Sequence, residues 1–446
     1  MLCLVASAPV AACYGPSSAQ TSAPDGGADC SDVATDSSVS ADGTVDAAAD
    51  VQHDATVPEA SPSADARVDS SDASPLHDAH AETSADAGLC PSGSGTIALF
   101  GGASTTALGW VSKDGVMTST KTFAALGVGA GPAVAPFGGG FLVVFPTFTG
   151  DVLESVQYSE SDAGPAWSTP AAVPTATGPE GALTDLGVPS LAAVGSTGEL
   201  VFHGSDGKLY DDVYVDGGWG PASEPVGGAG AAQALGPSAP SVALGNGGLY
   251  VAWDGQDEGL YALSSPSLGG PWTATTQIVA PGDVGTVPPT MVAMTSHAFD
   301  ALVVYEDPDS NMHYLVHPAA PVPAEWSTPE AVGRYAFATQ PVSMAPLPGG
   351  GAVLVYIGED GHPYASVFTA GGDPAWSDPA PVYTNHHGIA STPTVATGVC
   401  GFDAVAAFVE DTVGVLLVTL KGQTWGAPTI VSGTSALAYA TVATAP

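Results

Sequence analysis

The chain has 446 residues, with 6 Lys+Arg against 45 Asp+Glu and a formal net charge of -39. So few bases argue against nucleic acid, whose affinity rests on Lys/Arg contacts to phosphate, and against an anionic membrane surface. The 57 Gly and 39 Pro are too many for a helical protein and follow no collagen period, while a hydrophobic fraction of 45% leaves material for a core.

Residues 1–12 are small and apolar and read as a signal peptide. They end in Val10-Ala11-Ala12-Cys13, which resembles a bacterial lipobox. That resemblance implies a lipid on Cys13, membrane association through this anchor, and a place in the bacterial cell envelope or the secreted fraction. The segment departs from the pattern in lacking Lys or Arg near its start. Residues 13–89 are rich in Asp, Ala, Ser and Pro, and residues 1–90 hold 15 Asp+Glu against the single base Arg67. Such a stretch buries too little apolar area to offset its ordering entropy, so it is expected to be a disordered linker, extended by its own charge. After cleavage the cysteines are Cys13, Cys30, Cys90 and Cys400, without zinc-ligand spacing. An exported compartment permits disulfides. With Cys13 lipidated, Cys90 and Cys400 form the natural pair and Cys30 is left over.

From residue 90 onward the chain repeats. Trp followed by a polar/Pro step and a Val recurs every 49–54 residues, at Trp167, Trp219, Trp272, Trp326, Trp376 and Trp425. Short apolar runs ending in an aromatic or His appear seven times: Ile97–Phe100, Leu142–Phe145, Leu200–His203, Tyr250–Trp253, Leu302–Tyr305, Val353–Tyr356 and Val405–Phe408. A Pro before a small alternating strand recurs at Pro132, Pro189, Pro240, Pro289, Pro341 and Pro393, and Ala440–Thr444 is a seventh such strand without the Pro. Each repeat therefore reads as four strands, A from the Pro, B the apolar run, C as in Leu209–Tyr214, and D from the Trp, separated by Gly/Asp/Asn/Ser turns. Four strands per ~50 residues mark a β-propeller blade. The first repeat lacks strand A and the chain finishes on a lone one, so the expected architecture is an all-β, seven-bladed propeller over residues 90–446, closed by its C-terminal strand. Cys90 and Cys400 each precede a strand B in neighbouring blades, hence lie on one face.

The segments Val201-Phe-His-Gly-Ser-Asp-Gly-Lys-Leu-Tyr210 with Trp219, and Gly358-Glu-Asp-Gly-His-Pro-Tyr364 with Trp376, resemble the blades of bacterial propeller lectins and of the wider sialidase-like superfamily. The resemblance implies sugar binding near the blade loops. It does not extend to sialidase activity: that family clamps a carboxylate with three arginines, and beyond the linker this chain has Arg334 alone.

The recurring tryptophans read as packing between blades. Trp110 and Trp253 stand outside the Trp repeat and are the candidates for an exposed stacking surface. Carboxylates gather in the turns after strand B: Asp206, Asp254/Asp257/Glu258, Glu306/Asp307/Asp309, Glu359/Asp360 and Glu410/Asp411. By symmetry they share one face, a polar rim for sugar hydroxyls or Ca²⁺. Asp307, Asp309 and Asn311 alternate oxygen side chains as calcium loops do, without the Gly and distal Glu of an EF-hand. Three functions are consistent with this pattern. The leading one is a non-catalytic module for neutral glycans or basic protein surfaces. The others are a hydrolase or lyase using loop carboxylates, and a display scaffold without a small ligand.

Overall fold

The computed structural model describes residues 90, 94–124, 126–148, 152–174, 188–204, 208–222, 239–294, 298–319, 325–333, 338, 340–372, 375–384 and 388–446. Residues 1–89, with Cys13, lie outside these, as do Asp206 and Arg334. Among the described residues there are strands and turns and no helix.

The strands form seven antiparallel sheets, each with four strands in the order A-B-C-D, two of them with a short extra segment beside strand C. Blade 1 combines Tyr439–Ala445 as strand A with Thr96–Ala103, Thr106–Lys113 and Val116–Ala124. Strands A to C are Ala133–Phe137, Gly140–Pro146 and Leu153–Ser161 in blade 2, and Ser190–Val194, Thr197–His203 and Leu209–Val215 in blade 3. They are Ser241–Gly245, Gly248–Asp254 and Leu260–Ser265 in blade 4, and Thr290–Ala293, Phe299–Glu306 and Met312–Pro318 in blade 5. Blade 6 uses Ser343–Leu347, Gly351–Ile357 and Pro363–Phe368, and blade 7 Thr394–Thr397, Ala404–Glu410 and Gly414–Lys421.

Strand B carries unbroken apolar runs because each blade is covered on both faces by its neighbours, which removes the usual alternation. Every residue of Gly248–Asp254 and of Ala404–Glu410 is buried. The core is accordingly a set of wedges between blades rather than one centre. Leu302, Val304 and Tyr314 of blade 5 meet Leu354, Phe368 and Trp376 of blade 6. Val405 and Leu417 of blade 7 meet Leu99 and Trp110 of blade 1. The recurring tryptophans fill these wedges, as expected from their repetition: Trp167 packs on Phe100 and Phe123 of blade 1, and Trp219 donates its indole N–H to Ser155 Oγ of blade 2 at 3.0 Å.

The Trp motif does not open a regular strand D as expected. In blades 4, 5 and 6 the ladder resumes well after the Trp, at Thr276–Val279, Glu330–Ala331 and Ala380–Pro381. The cause is a side chain replacing backbone. The residue after each Trp donates its N–H to strand C: Ser168 to Gln157 O, Thr273 to Ser264 O, Ser327 to Val316 O and Ser377 to Val367 O, at 2.7–3.0 Å. Its hydroxyl then accepts the return N–H of Gln157, Ser264, Val316 or Val367 at 2.9–3.0 Å. A Pro two residues after that Ser in the Trp-Ser-x-Pro copies has no N–H to continue the ladder, and pairing returns at the closing Val, where Val173, Val332, Val382 and Val431 each donate to strand C.

The seven A strands touch in succession from blade 1 through blade 7 and back to blade 1. Hydroxyls at their starts latch neighbours together. Ser190 Oγ accepts the Val242 N–H, Ser241 Oγ that of Met291, Ser343 Oγ that of Val395 and Thr394 Oγ1 that of Val442, at 2.8–3.2 Å. Tyr439–Ala445 pairs antiparallel with Thr96–Ala103, Val442 opposite Leu99, so the first and last parts of the described chain share one sheet. Cys90 and Cys400 are disulfide-bonded, with Cα atoms 4.5 Å apart. Cys400 sits in the A–B turn of blade 7 and Cys90 beside Gly115 in the C–D turn of blade 1. Cys90 and Cys400 therefore lie on the face opposite the B–C turns.

Candidate functional site

The B–C turns share their face with the D–A connections: Gly282 of the connection into blade 5 donates to Asp257 O at 2.9 Å, and Gly285 to Glu306 O at 2.7 Å. The expected polar rim is largely committed to holding these turns. Asp257 accepts the Gly259 N–H through Oδ1 and the Tyr261 hydroxyl through Oδ2 at 2.6 Å. Asp360 repeats the arrangement with the His362 N–H at 3.0 Å and the Tyr364 hydroxyl at 2.8 Å. The Asp-x-x-x-Tyr spacing behind the lectin-like resemblance is thus a turn clasp in these two blades. Burial alone would raise the Asp360 carboxyl, but the His362 N–H and the Tyr364 hydroxyl outweigh it and hold it below the usual range.

Asp307, Asp309 and Asn311 do not form a calcium cradle. Asp307 Oδ1 accepts the N–H groups of Asp309 and Asn311, both at 2.9 Å, and its Oδ2 lies 2.9 Å from His313 Nε2. The Asn311 side chain turns its amide Nδ2 toward both Asp307 oxygens at 3.1–3.2 Å, so this member presents a donor where a cation needs an oxygen. Burial raises the Asp307 carboxyl, yet Asn311 and His313 more than offset it and the net shift is downward. Among the described residues no group of three His, Cys, Asp or Glu converges as a metal site.

The two candidate stacking residues are not on the surface. Trp110 is 1% exposed and packs in the blade 7/blade 1 wedge, and Trp253 is 2% exposed and stacks on Tyr261 at 6.0 Å. Each falls on a strand covered by neighbouring blades, which standing outside the Trp repeat does not reveal. Asp254 and Glu306 are likewise buried at the end of strand B rather than on a rim. Glu306 Oε2 accepts the Val287 N–H at 3.0 Å, and Glu410 in blade 7 accepts the Tyr383 hydroxyl at 3.1 Å. These carboxylates fasten the incoming D–A connection to its own blade. Asp309 and Glu359 are exposed. Asp206 lies outside the described residues.

A concavity stands elsewhere, between blades 5 and 6. It is a cavity of about 400 Å³ whose floor is aromatic and whose rim is polar. Phe368 and Trp376 lie 5.3 Å apart by centroid, Tyr314 meets Phe368 edge-on at 5.7 Å, and half-buried Phe299 extends the cluster at 6.5 Å from Phe368. The Tyr314 hydroxyl donates to Glu330 Oε2 at 2.5 Å. Burial and then Glu330 push the Tyr314 phenol well above its ordinary value, so it stays a donor across the physiological range. Trp376 lines the cavity while only 2% exposed, and its buried indole N–H has no acceptor among the described residues. Ser327, Gly371 and Gly372 complete the rim. An exposed carboxylate beside apolar rings gives the cavity the inventory of a small polar-ligand site.

The sequence pattern hides this site because Trp376 is one of six repeated tryptophans. The legible signal is a departure from the repeat: Glu330 stands where the parallel motifs of blades 2 and 6 carry Ala171 and Ala380.

Two further carboxyls are perturbed. Glu199 is fully buried, and burial raises it to about 7 against the Gly269 N–H, which it accepts at 2.7 Å. Asp212 is 1% exposed and is raised to about 7, again by burial. Glu199 pairs across from Val213 and Asp212 from Leu200, so they occupy opposite faces of blade 3. Neither lines the cavity.

No family model and no curated protein matches this sequence. Among solved structures, AofleA from Arthrobotrys oligospora is 12% identical, with 70% of this chain and 87% of that chain covered and a TM-score of 0.46. The Aleuria aurantia lectin in complex with Fucα1-6GlcNAc is 12% identical, with 68% and 97% covered and a TM-score of 0.45. The NanB sialidase from Streptococcus pneumoniae is 15% identical, with 46% and 32% covered and a TM-score of 0.34. Every score is below 0.5, so ligand and residue roles for this chain come from its own geometry.

Proposed function

We propose that this chain is a non-catalytic glycan-binding propeller that works outside the cytoplasm, held to the cell envelope by a lipid on Cys13 and carried on the acidic segment 13–89. The observation that carries the binding role is the cavity between blades 5 and 6. Its half-buried Phe299 offers an apolar face to a sugar, and exposed Glu330 is placed to accept a hydroxyl. Export is supported by the Cys90–Cys400 disulfide, a bond that persists in oxidising compartments.

Hydrolysis is the weaker reading. A glycosidase needs two carboxyls about 5–9.5 Å apart across the scissile bond, one with a raised pKa. Glu330 is the single carboxylate lining the cavity among the described residues, and the raised pair, Glu199 and Asp212, is enclosed inside the packing of blade 3. The full chain applied to a diverse glycan array tests the binding role. Recognition of a defined sugar class, lost in Glu330→Ala at unchanged melting temperature, is the expected result. Silence across the array overturns the proposal.

A further inference from the structure

We infer that the blade 5/blade 6 cavity selects sugars bearing a free ammonium group, that is, hexosamine units without an acyl group on nitrogen. The inference rests on the glycan-binding reading of this cavity and narrows its substrate class. Glu330 is the one charged side chain among the described lining residues, which include no Lys or Arg. Its Oε2 is fixed by the Tyr314 hydroxyl at 2.5 Å, and Glu330 joins no ion pair among the described residues. Among the described residues the carboxylate is therefore held in place by a neutral partner, with no basic side chain beside it.

A ligand seated here takes water away from that carboxylate. A neutral hydroxyl returns one hydrogen bond to the ionised oxygen and leaves its charge standing, whereas an ammonium returns such a bond and cancels the charge. Half-buried Phe299 offers its apolar surface to a C–H face of the pyranose. The field of the molecule acts in the same direction. The chain as a whole carries -39, which draws cationic glycans in and repels sialic and uronic acids. A carboxylate with no basic neighbour among the described residues discriminates against acidic sugars by repulsion and against N-acylated ones by the loss of the ion pair.

The test uses the full chain, a trimer of β1,4-linked glucosamine and its fully N-acetylated counterpart, with affinities measured by titration calorimetry at low and at physiological salt. Expected are binding of the free-amine trimer at least about ten-fold tighter than the acetylated one, an advantage that shrinks with salt, and its loss in Glu330→Gln. Asp411→Asn, which removes the same charge from an exposed turn of blade 7, controls for general attraction of a cation to an acidic protein and should keep the preference. Equal or tighter binding of the acetylated trimer overturns the inference, as does a preference that survives Glu330→Gln or falls equally in Asp411→Asn. Failure of the inference and of the glycan reading look different. If neutral glycans bind in a Glu330-dependent way without preference for the amine, the inference alone fails. If neither trimer nor any arrayed glycan binds, the glycan reading fails with it.

Discussion

Glu199 makes blade 3 the alkaline weak point of the ring. Its carboxyl is fully buried, one oxygen accepts the Gly269 N–H and the other has no partner. Burial raises it from 4.5 to about 7 in the folded chain. A carboxyl raised on folding leaves stability intact below its unfolded value, erodes it between about 4.5 and 7 as the unfolded state releases its proton first, and has removed the full amount above 7. At 1.36 kcal/mol per unit, that amount is up to ~3 kcal/mol. Glu199→Gln keeps an acceptor for Gly269 and cannot ionise, but leaves a buried amide donor unpaired at a cost of ~1–2 kcal/mol. Urea unfolding of both proteins at pH 5 and pH 8.5 separates the two effects. The variant should be equal or slightly weaker at pH 5 and stronger at pH 8.5, so that its loss of stability across the interval is ~2–3 kcal/mol smaller than that of the parent. The general repulsion of an acidic surface cancels in this comparison. Parallel pH profiles for parent and variant would refute the reasoning.

Asp212→Asn should flatten the same profile independently, since Asp212 lies on the opposite face of blade 3; a double variant that gains no more than either single one would show that the two sites are coupled. Cys400→Ser opens a crosslink spanning a sequence separation of 310 residues and should lower stability by up to about 5 kcal/mol, seen as a matching melting shift in the parent under reductant. Removing residues 439–446 strips strand A from blade 1 and uncovers Thr96–Ala103, six of whose eight residues are buried. Thermolysin should then digest a propeller that is otherwise resistant, and full resistance would mean that this strand does not close the ring. Ser377→Ala takes away the acceptor of the Val367 N–H and should cost ~1–2 kcal/mol, whereas Ser435→Ala, at an exposed position, should cost little in the same denaturation assay.

The fold was readable in the sequence because propeller blades repeat, and repetition averages out local ambiguity. The seven apolar runs all fall on strand B, and the Pro markers immediately precede or lie two residues before strand A. Where reading by symmetry failed, the reason was three-dimensional. Trp110 and Trp253 look like surplus aromatics in one dimension, but the wedge between two blades covers both sides of a strand. The Trp-Ser-x-Pro motif signals a strand, yet its hydroxyl takes the place of a backbone acceptor and the Pro interrupts the ladder. Turn carboxylates such as Asp257 and Asp360 suggest a ligand rim until their tyrosine partners four residues on are seen to occupy them. The cavity was invisible for a related cause. It is assembled from Tyr314 and Glu330 on one blade and Phe368 and Trp376 on the next, and sequence spacing carries no information about which neighbours leave a gap.

The account stands on the cavity between blades 5 and 6 being a sugar site. The most direct measurement is the affinity of the full chain for the glycan class it selects on an array, compared with that of Glu330→Ala and Trp376→Phe, melting temperatures being recorded alongside. The account predicts at least about a ten-fold loss in Glu330→Ala at unchanged melting temperature, and little change in Trp376→Phe, whose indole N–H is buried. Undiminished glycan binding by a folded Glu330→Ala protein would contradict it.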